Sequence, residues 1–368
     1  MSGHHKAKFS FFTDRNVCAT VLSFFILTIA PVNLFSMPKE LKLLPPENGI
    51  YHTAFSTMYS SSNNVSENEV PYFTKLVNKN IVWLNFANDW FGGIKFPAES
   101  VKNIYKHGVI PSIRMLPWSR YDKNDLTYSL KKISSGKFDK ELRQWVKDLK
   151  SANIPVLIDF AGEPNGDWFP WSGVYNGGGI NDKYGDKSLA DGPELYRDAY
   201  IHIINLFRDE DVTNVTWVFH VNAVGAPQED WNRIKNYYPG DEYIDWIGFS
   251  AYGPQRWGES YQRFVDIMQS GYNELAELTP NKPIAVLEFG VADYLPNVNK
   301  ALWIQSALYT VQQPEFSRIK AVGWWHSTWW NADGTMSAIQ IDSSPDALRF
   351  YKEAIAQPVF VGEYKLTQ

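Results

Sequence analysis

Residues 138–171 read FDKELRQWVKDLKSANIPVLIDFAGEPNGDWFPW. In the first half, apolar side chains such as Trp145 and Leu149 recur every three or four residues, which predicts an amphipathic helix over residues 138–151. The second half opens with a short run from Val156 to Phe160, apolar except for Asp159, that is typical of a buried strand. This stretch therefore predicts a helix that leads directly into a strand of a parallel sheet.

The same alternation extends over most of the chain, with further helical patterns at residues 193–209 and 261–278. The strand candidates are short and rich in branched or aromatic side chains: Ile50 to Phe55, Ile81 to Phe86, Val109 to Leu116, Val156 to Phe160, Val215 to His220, Trp246 to Ser250, Ile284 to Glu288 and Val322 to His326. Eight such repeats in about 300 residues predict an α/β protein with a single (β/α)8 TIM barrel over residues 45–368. An open doubly wound sheet is the alternative, but the first strand lacks the glycine-rich turn of dinucleotide-binding proteins.

The composition restricts the kind of partner. The 368 residues include 35 Lys and Arg and 40 Asp and Glu, which gives a net charge of -5. Without a long basic run the chain lacks the electrostatic footprint of nucleic-acid-binding proteins, so no nucleic-acid partner is predicted. Aromatic residues are abundant, with 15 Trp, 20 Tyr and 22 Phe. This surplus favours a ligand that has flat, uncharged faces.

Residues 1–36 have the pattern of an export signal. Basic residues precede an apolar run over residues 17–35, which contains Cys18, the one cysteine of the chain. The run is long enough to span a bilayer but is interrupted by Pro31. Cleavage near Ser36 would release a secreted protein, whereas an uncleaved segment would anchor it to a membrane, and both remain open. Either outcome places the rest of the chain outside the cytoplasm.

Two predicted strands end close to a glutamate. Glu163 follows the fourth strand and Glu288 ends the seventh. The carboxyl ends of barrel strands form the functional face, and a charge at such a position is costly unless a partner or water receives it. The two glutamates therefore predict one site. Glycosidic cleavage uses such a pair, one carboxyl as proton donor and the other as nucleophile. A structural ion pair between each glutamate and a nearby arginine is the alternative.

The sequence around these glutamates carries a more specific pattern, over about residues 80 to 330. Its segments are Ile110-Pro-Ser-Ile-Arg-Met-Leu-Pro117-Trp, Glu163-Pro-Asn-Gly-Asp-Trp-Phe-Pro-Trp171, Asn214-Val-Thr-Trp-Val-Phe-His-Val-Asn222, Tyr243-Ile-Asp-Trp-Ile-Gly-Phe-Ser-Ala-Tyr252 and Glu288-Phe-Gly290. Together they resemble glycoside hydrolase family 26, a group of retaining β-mannanase-like barrel enzymes. The resemblance implies that Glu163 is the acid/base and Glu288 the nucleophile. It also implies that Tyr252 helps to hold the nucleophile and that Trp325, or its neighbour Trp324, is an aromatic platform.

Two positions beside Glu163 depart from the family pattern. The family usually has arginine four residues before this glutamate and histidine immediately before it, whereas this chain has Asp159 and Gly162. A nucleophilic carboxylate stays ionised when a cation lies nearby. We therefore expect Arg114, near the end of the third strand, to supply the missing charge and to pair with Asp159. The change at Gly162 leaves the substrate preference open.

Several further side chains are candidates for substrate binding, because sugar rings present apolar C–H faces that stack on aromatic planes. The candidates are Tyr252, Trp168, Trp171, Trp325, Trp324, Arg114 and His220. For each tryptophan, packing in the core is an equally open interpretation. For His220 a structural role is favoured over contact with the sugar. The sequence predicts no metal site and no organic cofactor.

The leading hypothesis is an exported retaining glycoside hydrolase that cleaves β-mannan or a related β-glucan by double displacement. A barrel of the same fold that binds glycans without cleaving them is the alternative, which the changes at Asp159 and Gly162 keep open. A barrel enzyme of another class is a third interpretation. The expected partner is a polysaccharide or oligosaccharide, with a membrane involved only if residues 1–36 are retained.

Overall fold

A computed structural model describes residues 40–58, 63–331 and 333–367, so the predicted export segment lies outside the described residues. Within these ranges eight parallel strands pair in chain order, and the first pairs with the eighth to close a barrel. The barrel strands are β1 (Ile50–Ser56), β2 (Trp83–Asp89), β3 (Ile110–Leu116), β4 (Val156–Phe160), β5 (Val215–Asn222), β6 (Trp246–Tyr252), β7 (Ile284–Gly290) and β8 (Ile319–His326). The predicted (β/α)8 barrel is thus confirmed.

Helices lie between the strands and cover the outside of the barrel. They are α1 (Glu69–Val77), α2 (Ala98–Tyr105), α3 (Leu130–Ser134), α4 (Asp139–Ala152), α5 (Asp191–Asp209), α6 (Ile234–Tyr237), α7 (Phe264–Leu278), α8 (Lys300–Thr310) and α9 (Pro345–Ile355). Beyond β8, strands β9 (Thr328–Trp330) and β10 (Met336–Ala338) form an antiparallel pair, and β11 (Phe360–Val361) pairs with β1. No helix in the described ranges is long and apolar enough to cross a membrane.

The strand bounds differ from the sequence expectation mainly at the carboxyl ends. Strand β4 has its predicted bounds, whereas β5 continues past His220 to Asn222, and β7 continues past Glu288 to Gly290. Strand β2 was expected over residues 81–86 but ends at Asp89. Apolar patterns stop where the strands begin to carry polar side chains, yet the backbone pairing continues there. These carboxyl-terminal extensions form the functional face of the barrel.

Large rings fill the amino-terminal half of the barrel interior. Tyr51 stacks on Trp246 with 6.2 Å between ring centroids, and Trp83 meets Trp246 edge to face at 5.8 Å. All three side chains are buried. Because side chains alternate along a strand, the next inward positions lie one layer higher, as Ser112 and Arg114 do above Ile110. The rings thus support a polar layer that forms the floor of the site.

A buried histidine between the barrel and the helices predicts acid sensitivity. His52 Nδ1 donates to Asn80 O at 2.9 Å, and Nε2 accepts from the Tyr351 hydroxyl at 2.9 Å. Burial lowers the pKa of His52 from 6.5 to about 4. The neutral ring is therefore favoured by folding, and stability present above pH 6.5 is lost as the pH falls toward 4, by on the order of 3 kcal/mol for this group.

We expect His52→Gln to make the free energy of unfolding less dependent on pH between 6.5 and 4.5, as measured by urea unfolding at several pH values. The matched control is Phe73→Leu, which shortens a buried ring stacked on His52 at 6.2 Å but removes no titratable group. Both variants lose stability at pH 7, but the control keeps the wild-type slope. Equal slopes in all three proteins would contradict the assignment.

Candidate active site

The carboxyl ends of the strands surround an open cleft of about 810 Å³. Both predicted glutamates, Glu163 and Glu288, line it, so the structure brings them into one site. Its walls combine aromatic side chains with polar and charged ones: Arg114, Trp118, Trp168, Phe169, Asn222, Tyr252, Gln255, Arg256, Glu259, Trp325 and Trp329. This volume suits a ligand of several rings.

Glu288 is held by a hydroxyl donor and by the charge of an arginine at the floor of the cleft. The Tyr252 hydroxyl donates to Glu288 Oε2 at 2.8 Å, and Arg114 Nε lies 3.1 Å from Glu288 Oε1. Burial raises the pKa of Glu288 above its ordinary value, and the charges of Arg114 and His220 oppose that rise. Burial and the carboxylate of Glu288 raise the pKa of Tyr252 well above its ordinary value, so this hydroxyl stays protonated and donates.

Glu163 is carried by a strained turn after β4. Both Ala161 (φ +51°) and Glu163 (φ +58°) are left-handed, a conformation that costs roughly 1 to 2 kcal/mol for a residue with a side chain. The Glu163 amide donates to His220 O at 2.8 Å, and Trp168 Nε1 donates to Glu163 Oε2 at 2.9 Å. The turn brings the carboxyl into the cleft, where a neutral donor holds it. Such stored strain is characteristic of functional sites.

Arg114 lies beside Glu288, where the sequence led us to expect a positive charge. It extends inward from β3 beside Asp159 of the neighbouring β4, and its Nε is 3.8 Å from Asp159 Oδ2 as well as 3.1 Å from Glu288. The guanidinium carbon lies 5.1 Å from the centre of the Trp325 ring. The expected pairing of Arg114 with Asp159 is therefore present, and the same guanidinium contacts Glu288.

His220 lies below the cleft surface. Its Nδ1 donates to Asp159 Oδ2 at 2.6 Å, and its Nε2 is 2.8 Å from Ser250 Oγ. The side chain is 1% exposed, so the ring cannot contact a sugar directly. The expectation that His220 binds substrate is corrected accordingly, because both ring nitrogens already bond to protein groups beneath the site.

The predicted tryptophans divide between cleft and core. Trp168 and Trp325 line the cleft, and Trp325 lies parallel to Phe55 with 3.6 Å between ring centroids. Trp171 and Trp324 are buried instead, with Nε1 atoms that donate to Gly162 O at 2.8 Å and Ile339 O at 3.0 Å. Their predicted role as substrate contacts is corrected, since neither ring is accessible to a ligand.

Some cleft residues were not singled out from the sequence. Asn222 lies two positions after His220, and the alternation of β5 places it on the same inward face, so strand periodicity could have identified it. Trp118 is the last residue of the quoted segment 110–118, four positions after Arg114, and that segment was the signal for it. Phe169 and Arg256 lie on long loops, where no periodicity indicates which side chains reach the site.

The fold and site together define a class of protein: a (β/α)8 barrel with one carboxyl group just after strand four and one near the end of strand seven in a single aromatic cleft, as in glycoside hydrolases. Residues 125–302 match the model of glycosyl hydrolase family 26. This match bears out the resemblance to glycoside hydrolase family 26 that the sequence indicated.

Comparisons with known proteins support this assignment. Endoglucanase H of Acetivibrio thermocellus is 29% identical over 293 residues, which cover 79% of this chain and 29% of that protein. Mannan endo-1,4-beta-mannosidase of Bacillus subtilis (strain 168) is 26% identical over 208 residues, 56% of this chain and 46% of that protein. The chain thus spans less than half the length of these curated relatives.

Solved structures confirm the fold. The catalytic domain of the Bacillus sp. JAMB-750 endo-beta-1,4-mannanase superposes with a TM-score of 0.61 at 16% sequence identity. The superposition covers 85% of this chain and 87% of that one. At this level of identity the likeness establishes the barrel architecture, while the chemistry has to be argued from the side chains of this chain.

Proposed function

We propose that the protein hydrolyses β-linked polysaccharide with retention of the anomeric configuration. The observation that carries this proposal is the different environment of the two glutamates in one cleft. Glu288 contacts a cation, Arg114, and a hydroxyl donor, Tyr252, which favour its ionised form, whereas Glu163 is held by the neutral indole of Trp168. Two carboxyl groups in unlike surroundings can take the separate roles of nucleophile and acid/base.

The reaction has two steps. Glu163 transfers its proton to the departing glycosidic oxygen while a Glu288 oxygen bonds to the anomeric carbon, which forms a glycosyl-enzyme ester. The ionised Glu163 then takes a proton from a water molecule, whose oxygen displaces Glu288 and restores both carboxyl groups. Two inversions at the anomeric carbon give net retention.

The substrate class is a β-mannan or a related β-glucan. The aromatic walls of the cleft, Trp168, Trp325 and Trp329 among them, suit the C–H faces of equatorially linked sugar rings. The relative named as an endoglucanase aligns over a larger share of the chain than the mannosidase does. Both polymers therefore belong in the first test. Gly162, where the family usually has histidine, is a reason to include glucans.

The test is release of reducing ends from mannan, glucomannan, mixed-linkage glucan and xylan by the segment from Pro38 onward. We expect release from at least one mannan or glucan, and its loss in Glu288→Gln, which keeps the shape of the side chain but removes the nucleophile. Proton NMR of the first product should show the β anomer before mutarotation. Binding to one polymer without release would instead favour the glycan-binding alternative.

Export of the protein stays a prediction from residues 1–36. It rests on the basic residues and the apolar run of that segment. Fractionation of cells that express the full chain, followed by N-terminal sequencing of the product, would distinguish cleavage near Ser36 from retention in the membrane. Activity that remains in the cytoplasm would contradict export.

The hydrogen bond from Trp168 to Glu163 predicts a leaving-group effect. Trp168→Phe removes the donor while keeping an aromatic face, and a bond to a carboxyl group of this kind contributes about 1.5 kcal/mol, or roughly tenfold in rate. We expect kcat on the polymer to fall by about tenfold, and kcat on a dinitrophenyl glycoside, whose leaving group needs no proton, to change much less.

Trp329→Phe is the matched control, because it trims another indole of the same cleft. That variant should raise KM on the polymer without making the rate depend more strongly on the leaving group. Equal losses on both substrates in Trp168→Phe would show that the indole acts only as a binding surface.

A further inference from the structure

One guanidinium stands between two carboxylates at the floor of the cleft. Arg114 Nε lies 3.1 Å from Glu288 Oε1 and 3.8 Å from Asp159 Oδ2, and all three side chains are buried. If nothing else neutralised Asp159, it would compete with Glu288 for the single positive charge. In a buried setting that competition would favour protonation of one carboxyl group.

His220 contacts the competing carboxylate. Its Nδ1 donates to Asp159 Oδ2 at 2.6 Å, and its Nε2 faces Ser250 Oγ at 2.8 Å. A serine hydroxyl can donate to a neutral ring nitrogen or accept from a protonated one, so the surroundings accommodate the imidazolium. Burial alone would lower the pKa of His220, but the charge and hydrogen bond of Asp159 outweigh it and raise the pKa.

Gly162 provides the space for this pair. A Cβ at residue 162 would lie 2.8 Å and 2.9 Å from the two Asp159 carboxylate oxygens and 2.9 Å from His220 Nδ1. Its backbone is not left-handed, so the lack of space and not the backbone conformation excludes a side chain. The two departures from the family pattern, Asp159 and Gly162, are therefore linked: the first needs the second.

We propose that Asp159 and His220 form a positioning pair that orients Arg114 and, through the imidazolium charge, leaves the Arg114 charge available to Glu288. With His220 protonated, two positive groups balance two negative ones. With a neutral ring, Arg114 would be shared between Asp159 and Glu288. The inference rests on the proposed function only for the role of Glu288 as nucleophile, whereas the charge arrangement itself can be measured without any substrate.

Several titratable groups face this pair from the surrounding elements. They are Arg114 of β3, Glu163 of the loop after β4, Tyr196 and Tyr200 of α5, Tyr252 of β6 and Glu288 of β7. Burial raises the pKa of both α5 tyrosines well above its ordinary value, so they stay neutral. The charges that change are therefore those of His220 and the carboxyl groups.

The test is a double-mutant cycle in which the acid limb of kcat/KM and the pKa of Glu288 are measured for each variant. His220→Gln keeps a donor to Asp159 but removes the charge. We therefore expect the pKa of the acid limb to rise by about one unit, which lowers kcat/KM about tenfold at pH values below the limb. Adding Asp159→Asn removes the competing carboxylate, and the double variant should return toward the wild-type limb. Asp159→Asn alone should shift the limb less than His220→Gln does.

A purely structural role predicts a different pattern, because the double variant would then be at least as impaired as either single one. Gly162→Ala should reproduce the shift of His220→Gln, whereas Gly92→Ala, at a site with no atom within 4 Å of the added carbon, should not. His52→Gln is the control for the loss of a buried histidine, because the wild-type His52 ring bonds to Asn80 and Tyr351, away from the cleft.

NMR provides a readout that needs no hydrolysis. In protein labelled with carboxyl-13C glutamate, the Glu288 signal is assigned by its absence in Glu288→Gln, and its pKa should rise in His220→Gln and recover in the double variant. In 15N-histidine protein, His220 should be an imidazolium at pH 7. A neutral ring there, or no recovery in the double variant, would overturn the inference. If the enzyme is active but gives either of these two contrary results, the inference fails while the proposed function stands.

Discussion

Replacing Glu288 by glutamine is expected to lower kcat on the natural polymer by a factor on the order of 10⁴ to 10⁶. The amide cannot form the glycosyl-enzyme ester, so no leaving group, however reactive, restores turnover. Polymer binding should persist, because the amide keeps the side-chain volume and still accepts the hydrogen bond from Tyr252. The measurements are kcat on polymer and dinitrophenyl glycoside, together with affinity electrophoresis in the polymer.

The companion variant, Glu163→Ala, should behave differently on these substrates. It loses activity on the polymer, where protonation of the leaving oxygen is required, but still forms the glycosyl-enzyme from a dinitrophenyl glycoside. Added azide should then accelerate release and give a β-glycosyl azide, since a small anion can enter the space of the missing carboxyl group. Rescue by azide in the Glu288 variant with β product would reverse the two assignments.

Arg114→Met is expected to lower kcat/KM by roughly 10³-fold while the barrel stays folded. The variant removes the cation 3.1 Å from Glu288 and leaves two buried carboxylates. Burial already raises the pKa of Glu288, and Arg114 opposes that rise, so its loss should move the acid limb of the pH profile upward. The carboxyl groups can protonate and become neutral, which spares the fold.

The control for Arg114→Met is Arg318→Met. Arg318 donates to the backbone carbonyls of Ala276, Thr279 and Lys282 at 2.9, 2.7 and 2.6 Å, and no cleft residue is among these partners. This variant should lose stability in thermal unfolding and keep its acid limb. Near-normal turnover of Arg114→Met at pH 7 would refute the role given to Arg114, and Arg114→Lys should restore part of the rate by returning the charge.

Local patterns were sufficient to predict the barrel and its two glutamates. A run of five residues, apolar except for Asp159, predicted the bounds of β4, and the charged residues at or after the ends of such runs indicated Glu163 and Glu288. The adjacent pair Trp324 and Trp325 shows where this reasoning stops. Neighbouring residues on a strand face opposite sides, and both sides of a barrel strand are apolar, so only the closed sheet decides that Trp325 faces the cleft.

Contacts between residues that lie far apart in the chain were the second thing that the sequence could predict only in part. Arg114 could be proposed as a partner of Asp159 because neighbouring strands of a barrel are consecutive in the sequence. Nothing in the sequence near Gly162 indicated that residue 220, on the next strand, would fill the space of its missing side chain. The left-handed turn at Ala161 and Glu163 was equally invisible, because neither residue is of the type that usually adopts it.

The rings of Tyr51, Trp83 and Trp246 also limit how water can reach the polar floor of the cleft. They fill the barrel beneath the polar floor, so for the described residues the route from His220 to bulk water leads upward through the cleft. A sugar chain that occupies the cleft closes this route. The protonation state of His220 would then be set in the free enzyme, so the acidity of the medium should act on this residue chiefly before a polymer binds.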